Sequence, residues 1–196
     1  MPVDEWFSRL AGDPDGAVAF LAKLADRVTP QGVRPRLLEL AVTPGPTSLA
    51  LSAKGYDVAS ADPRRSAAGQ ITGLNGWFDV VFAVHDELSR MTAQHEQVRC
   101  LQRVASFLRP GGALVVQGSV PDLAHWNNDC LDHEPAGQRL RTTCALTGGP
   151  LHLRYVWPAE LDLMGELAAL ALEDRWDGWH AEPFTGTTAH ISVFRN

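Results

Sequence analysis

Phe78-Asp79-Val80-Val81-Phe82-Ala83-Val84 is an almost uninterrupted apolar run built from strand-forming residues. A run without polar alternation suits a strand covered on both faces, which requires a parallel sheet sandwiched between helices. The flanking sequence keeps the matching rhythm. An amphipathic helix opens at Asp15-Gly16, carries Val18, Phe20, Leu21 and Leu24, and stops before Pro30-Gln31-Gly32. Strands are predicted over 36–41 and 56–61, joined by a helix over 47–54 that follows Pro46 and ends at Gly55. Thr92 caps a long helix with the stripe Val98, Leu101, Val104, Phe107 and Leu108, and Arg109-Pro110-Gly111-Gly112 separates it from a strand over 113–117. Two strands over 139–146 and 151–157 flank Thr147-Gly148-Gly149-Pro150 as a hairpin. A helix over 159–172 and strands over 172–176 and 190–195 complete a single α/β domain spanning 1–196.

With 196 residues, 45% of them hydrophobic, the chain can bury a full core without a disulfide or metal staple. The net charge of −6, with no more than two consecutive basic residues, argues against nucleic acid and anionic membranes as partners. No apolar run approaches the roughly 18 residues of a membrane span, and Met1-Pro2-Val3-Asp4-Glu5 does not read as a signal peptide, so a cytoplasmic protein is expected. Cys100, Cys130 and Cys144 have neither disulfide nor zinc spacing, and no metal site is expected.

The order of elements, with Phe78-Asp79-Val80-Val81 and Leu108-Arg109-Pro110-Gly111-Gly112, resembles class I S-adenosylmethionine (SAM)-dependent methyltransferases. Pro121-Asp122-Leu123, the stretch from His152 to Leu161, and Arg175-Trp176-Asp177-Gly178-Trp179 with Glu182-Pro183-Phe184-Thr185 are similar to a group of actinobacterial small-molecule methyltransferases. The resemblance implies a Rossmann-like fold. It also implies an acidic residue and alternating glycines after the first strand, where Glu39, Ala41, Thr43 and Gly45 stand, and a ribose-binding acid where Asp62 stands. Pro44 and Pro46 remove two backbone donors from that first loop, and Thr43 is ill suited to a left-handed backbone. Between Asp62 and Phe78, Pro63 to Trp77 suffices for one crossover, not for two crossovers and a strand, so the family's third strand is expected to be missing. The N-terminal segment at Glu5-Trp6-Phe7 reads as shortened relative to the family.

Ligands of open α/β sheets bind beyond the carboxyl ends of the strands, and candidate site residues are sought there. His85, Asp86 and Glu87 follow the Phe78–Val84 run and supply acid–base groups, of which at most two face one cavity. In the hairpin, His152 and Arg154 share one face while Leu153, Tyr155 and Trp157 share the other. His152 and Tyr155 are candidates for orienting a substrate; His125, Trp126, Arg154, Trp157 and Trp179 are candidate pocket walls.

Three functions are open at this point. The rebuilt first loop leads to the expectation of no cofactor, and of a cyclase, isomerase or lyase acting on a small natural-product intermediate through His85, Asp86 or Glu87. The alternative is a SAM-dependent O- or N-methyltransferase in which Glu39, Gly45 and Asp62 hold the cofactor and His85 is the base. The third is a non-catalytic partner, homodimeric or bound to another protein through the exposed edge of the second strand.

Overall fold

The computed structural model describes residues 13–67, 77–123, 132–143 and 149–196. In chain order the elements are α1 (Pro14–Val28), β1 (Arg36–Leu40), α2 (Pro46–Ala53), β2 (Asp57–Ala61), α3 (Pro63–Ala67) and β3 (Phe78–Ala83). A single 3-10 turn (Glu87–Arg90) leads into α4 (Gln94–Phe107) and β4 (Leu108–Ser119). The remainder comprises β5 (Asp132–Glu134), β6 (Arg139–Thr143), β7 (Pro150–Arg154), α5 (Pro158–Leu167), β8 (Ala171–Trp176) and β9 (Ala189–Arg195).

The main sheet has the order β2-β1-β3-β4-β9-β8. Its first four strands are parallel; β9 and β8 are added antiparallel to their neighbours. Alternate residues of each strand feed two separate cores, which is why β3 carries no polar alternation. Leu37, Val80, Phe82, Val84, Val115 and Val193 pack under α1 and α2. Leu38, Val81, Ala83, Leu114, Val116 and Phe194 pack under α4 and α5. Among the described residues β2 forms the sheet edge, with no strand beyond it.

The expected elements recur with shifted ends. Asp13, rather than Asp15, caps α1, accepting the Gly16 N–H at 2.7 Å. The residue capping α4 is Ala93, not Thr92. The expected hairpin is part of a separate antiparallel sheet of three strands, β5-β6-β7. β4 begins at Leu108 instead of Ala113, because the Arg109-Pro110-Gly111-Gly112 stretch pairs onward: Gly111 N–H donates to Asn196 O at 3.0 Å.

Asp79 explains part of the FDVV signature. It is fully buried, accepts the Arg36 N–H at 2.9 Å through Oδ2, and pairs by charge with Arg109 Nε at 2.9 Å through Oδ1, although that N–H is not aimed at the oxygen. It therefore pins the starts of β1, β3 and β4 together. Asp79→Ala should cost about 3 kcal/mol, since it strands a buried donor and a partly buried guanidinium. Urea unfolding measures this; a loss under about 1 kcal/mol would place Asp79 among ordinary surface pairs.

Cys100 is buried in α4, and burial pushes its thiol up to about 12, which leaves it unreactive. Cys130 and Cys144 lie outside the described residues. Among the described residues no helix is long and apolar enough to cross a membrane, and no group of three or more His, Cys, Asp and Glu side chains is arranged to hold a metal.

Candidate functional site

The carboxyl ends of β1, β2 and β3 bring Glu39, Asp62, His85 and Glu87 into one acidic neighbourhood. Glu39 lies opposite Ser60 of β2 in register and is only 2% exposed. Its Oε2 accepts the Gly45 N–H at 2.8 Å, the Ser48 hydroxyl at 2.6 Å and the Ser60 hydroxyl at 3.3 Å. The carboxylate thus caps α2 and closes the loop whose two prolines contribute no N–H. Among the described residues its Oε1 takes no hydrogen bond from the protein. Gly45 has an extended backbone, and its value is steric: a Cβ there would lie 2.8 Å from Glu39 Oε1. No residue from Ala41 to Pro46 adopts a left-handed backbone, so Thr43 sits in the loop without the strain its position suggested.

Asp62 ends β2 with its carboxylate held by Arg64, which donates from Nε at 3.1 Å, Nη2 at 3.0 Å and the backbone N–H at 3.0 Å. Partial burial would raise this carboxyl, but the bonds and charge of Arg64 outweigh it and hold it below the usual carboxylate range.

The turn after β3 has unusual geometry. His85 and Asp86 both have φ of 56°. Consecutive non-glycine residues in the left-handed region cost on the order of 1–2 kcal/mol each, less for Asp, and persist only where neighbours hold them. The His85 N–H donates to Gln117 Oε1 at 3.0 Å, while its half-buried imidazole makes no hydrogen bond among the described residues. Burial holds that imidazole below its ordinary range; the Glu39 charge offsets part of this and Arg90 adds to it. Asp86 turns inward instead. It is 5% exposed and accepts from Ser119 N–H at 3.1 Å, Ser119 Oγ at 2.6 Å and Ser89 Oγ at 3.3 Å. Glu87 is half-buried and paired with Arg90 Nε at 2.9 Å through Oε1, while its Oε2 is buried without a hydrogen-bond partner among the described residues. Burial pushes the Glu87 carboxyl up; Arg90 offsets part of the effect, and Asp62 and Glu39 add to it.

The other expected site residues lie elsewhere. Arg154 faces neither solvent nor cleft. It is 5% exposed and donates to Gln97 Oε1 at 2.6 Å, Gln138 Oε1 at 2.8 Å and Glu160 Oε1 at 2.6 Å. Tyr155 packs with Leu140 and Leu153 inside the small sheet, its hydroxyl 3.2 Å from His133 Nε2. His152 is exposed on the outer side of that sheet, beside Asp132, Glu134 and Arg141. Trp157 is 39% exposed at the start of α5, edge-on to Tyr155. Trp179 is buried, and with the partly buried Trp176 it packs against Phe20 of α1, ring centroids 5.5 Å apart in each pair with Phe20, bordering a separate crevice of about 340 Å³. His125 and Trp126 lie outside the described residues.

His190 was not singled out in the sequence, where it read only as a strand residue. On β9 it is 2% exposed, pairs in register with Gly118 of β4, and has its Nδ1 2.9 Å from Ser192 Oγ.

No protein-family model and no curated protein matches the sequence. Solved structures do. The CcbJ methyltransferase from Streptomyces caelestis is 27% identical, with 93% of this chain and 94% of that one covered and a TM-score of 0.69. A SAM-dependent methyltransferase from Clostridium acetobutylicum shares 10% identity, with 95% and 93% covered and a TM-score of 0.66. CalS10, an amino pentose methyltransferase from Micromonospora echinaspora solved with SAM bound, shares 18%, with 100% and 98% covered and a TM-score of 0.50. The chain has the fold of class I SAM-dependent methyltransferases, and its structural neighbours include actinobacterial small-molecule enzymes. The expectation of no cofactor is thereby corrected: these neighbours point to SAM. They favour methyl transfer over a cofactor-independent cyclase, for which neither fold nor neighbours give support.

Proposed function

We propose that this protein is a SAM-dependent methyltransferase acting on an oxygen or nitrogen of a small molecule, with His85 as the base. The observation that carries this reading is the set of unspent carboxylate oxygens at the carboxyl ends of β1 and β3 in a methyltransferase fold. Among the described residues Glu39 Oε1 takes no protein hydrogen bond, and Glu87 Oε2 is buried without a hydrogen-bond partner. Acceptors of this kind suit the ammonium group, ribose hydroxyls and positive charge of SAM. Glu39, Asp62 and Glu87 would hold it, with Gly45 keeping the first loop clear of a side chain. When bound, SAM supplies an electrophilic methyl group.

The protein's own part is acid–base and positional. A neutral imidazole at His85 accepts the proton lost by the substrate's nucleophile, and its depressed basicity keeps it in that form at neutral pH. Arg64 competes for Asp62, so a ligand hydroxyl there must displace or share that clasp.

Calorimetric titration tests the reading. Micromolar binding of SAM and of S-adenosylhomocysteine (SAH) is expected, weakened about tenfold or more in Asp62→Ala. A folded protein giving no heat and no thermal shift at millimolar ligand would overturn it.

A further inference from the structure

Phe20, Lys23 and Arg27 recur on α1 at helical spacing and share a face beside the buried stripe of Val18, Leu21 and Ala25. The segment after β8 stands against that face, and the two line the crevice of about 340 Å³, a volume within the range of small-molecule sites. Its walls are the rings of Phe20, Trp176 and Trp179 with alanine and leucine side chains between them. Its polar groups are Lys23, Arg27 and His180, and no carboxylate lines it. In a chain of net charge −6 this is a local reversal of sign. β8 is three strands from β3 in the sheet, roughly 14 Å, so the crevice is distinct from the acidic cleft.

The wall after β8 is held in place. Trp176 bridges to Pro183, the Asp177 N–H donates to Glu182 O at 3.0 Å, and the Glu182 carboxylate accepts the His180 N–H at 3.1 Å. Ala181 closes this turn with φ of 60°, in the left-handed region that a side chain disfavours. Phe20 meets the two indoles at 72° and 63°, so the three rings brace one another, yet Phe20 and Trp176 stay half-buried. The cations differ in what they have left. Arg27 is paired with Glu173 at 2.9 Å, and His180 lies 2.8 Å from Asp13. Lys23 has no ion pair or hydrogen bond among the described residues.

We propose that this crevice is a binding site for a planar aromatic carboxylate, its rings against Phe20, Trp176 and Trp179 and its charge on the Lys23 ammonium. Flat aromatic walls favour a ligand with a π face. The sign of the rim excludes the other common guest of an aromatic cage, an organic cation, which Lys23 and Arg27 would repel. One free ammonium matches a single carboxylate, whereas a doubly charged phosphate would have to draw Arg27 away from Glu173. The site stands whether or not the protein transfers methyl groups.

Naphthoate is the probe, added to the full chain and followed by calorimetry and by the indole N–H signals in NMR. One-to-one saturation is expected, with shifts at two of the six indoles, assigned to Trp176 and Trp179 through Trp176→Phe and Trp179→Phe. Lys23→Gln, at an exposed position, should weaken naphthoate roughly three- to tenfold. Naphthylmethanol, which keeps the rings and lacks the charge, should bind that variant and the unmodified protein alike. Should Trp179→Phe fail to fold, Trp176→Phe and Lys23→Gln carry the test. SAH calorimetry should be the same with and without naphthoate. Binding that does not saturate, shifts at the other indoles, or equal naphthoate affinity in Lys23→Gln would overturn the proposal. Displacement of naphthoate by SAH would move the probe to the acidic cleft and do the same. A dimer of the unmodified protein that Lys23→Glu dissociates would give the crevice to a second copy of the chain instead.

Discussion

His85→Gln is expected to lower kcat for methyl transfer by roughly 10²–10⁴-fold, while SAH affinity stays within about threefold. The split follows from what each acid–base group of the turn is already doing. Asp86 spends both oxygens on Ser119 and Ser89 and is enclosed. Glu87 has one oxygen on Arg90 and the other buried beside Asp62 and Glu39, a position suited to a cationic ligand. Only His85 combines partial exposure, a ring free of hydrogen bonds among the described residues, and a neutral form at physiological pH. The sign of the pH dependence follows. Because burial lowers the His85 value, the base form already predominates at pH 6.5, and kcat/KM should fall as the pH drops below that point. Equal turnover in His85→Gln, with loss in Glu87→Gln, would transfer the proton-accepting role to Glu87.

The layer architecture was legible because two-sided burial leaves a plain mark. β3 is apolar throughout since its alternate residues feed two cores, and the Pro and Gly punctuation sets most element ends within a few residues. What the pattern could not supply was orientation at the strand ends. His85, Asp86 and Glu87 are adjacent, and a left-handed turn buries the middle one while its neighbours stay half-buried; no periodicity encodes that alternation. Strand alternation correctly put His152 and Arg154 on one face of β7. It gave no sign that α4 and α5 would cover Arg154 and leave His152 open. His190 carried no signal beyond a polar residue in an otherwise apolar strand, since its register partner Gly118 is distant in sequence and meets it only through the pairing of β4 with β9. The first loop misled in a different way. Its lost glycines suggested a lost cofactor, yet Glu39 supplies from its side chain an acceptor for the Gly45 N–H and Ser48, and the loop closes without strained backbone.

Arg154→Met should destabilise the fold by about 3–5 kcal/mol, the largest stability effect expected of any single change described here. The guanidinium links three elements at once: Gln97 on α4, Gln138 in the turn between β5 and β6, and Glu160 on α5. Each partner is tied further. Gln97 Nε2 donates to the carbonyls of Leu88 and Arg154, and Gln138 Nε2 donates to Tyr155 O and to Glu160 Oε2. Removing the cation leaves Glu160, with its side chain only 16% exposed, without its counter-charge, and removes a donor from both glutamines. Burial would raise the Glu160 carboxyl, but bonds from Gln138 and Arg154 outweigh it and hold it below its ordinary value. The pair's contribution is therefore present above pH 4.5 and lost as pH falls through the lowered value, so the destabilisation measured by urea unfolding should be full at pH 7 and shrink toward pH 3. Arg154→Met combined with Glu160→Leu should recover part of the loss, because no buried charge is then stranded. A cost under about 1 kcal/mol at pH 7 would mean that the small sheet is held by Leu140, Leu153 and Tyr155 alone, and that the ion pair adds no more than a surface bridge.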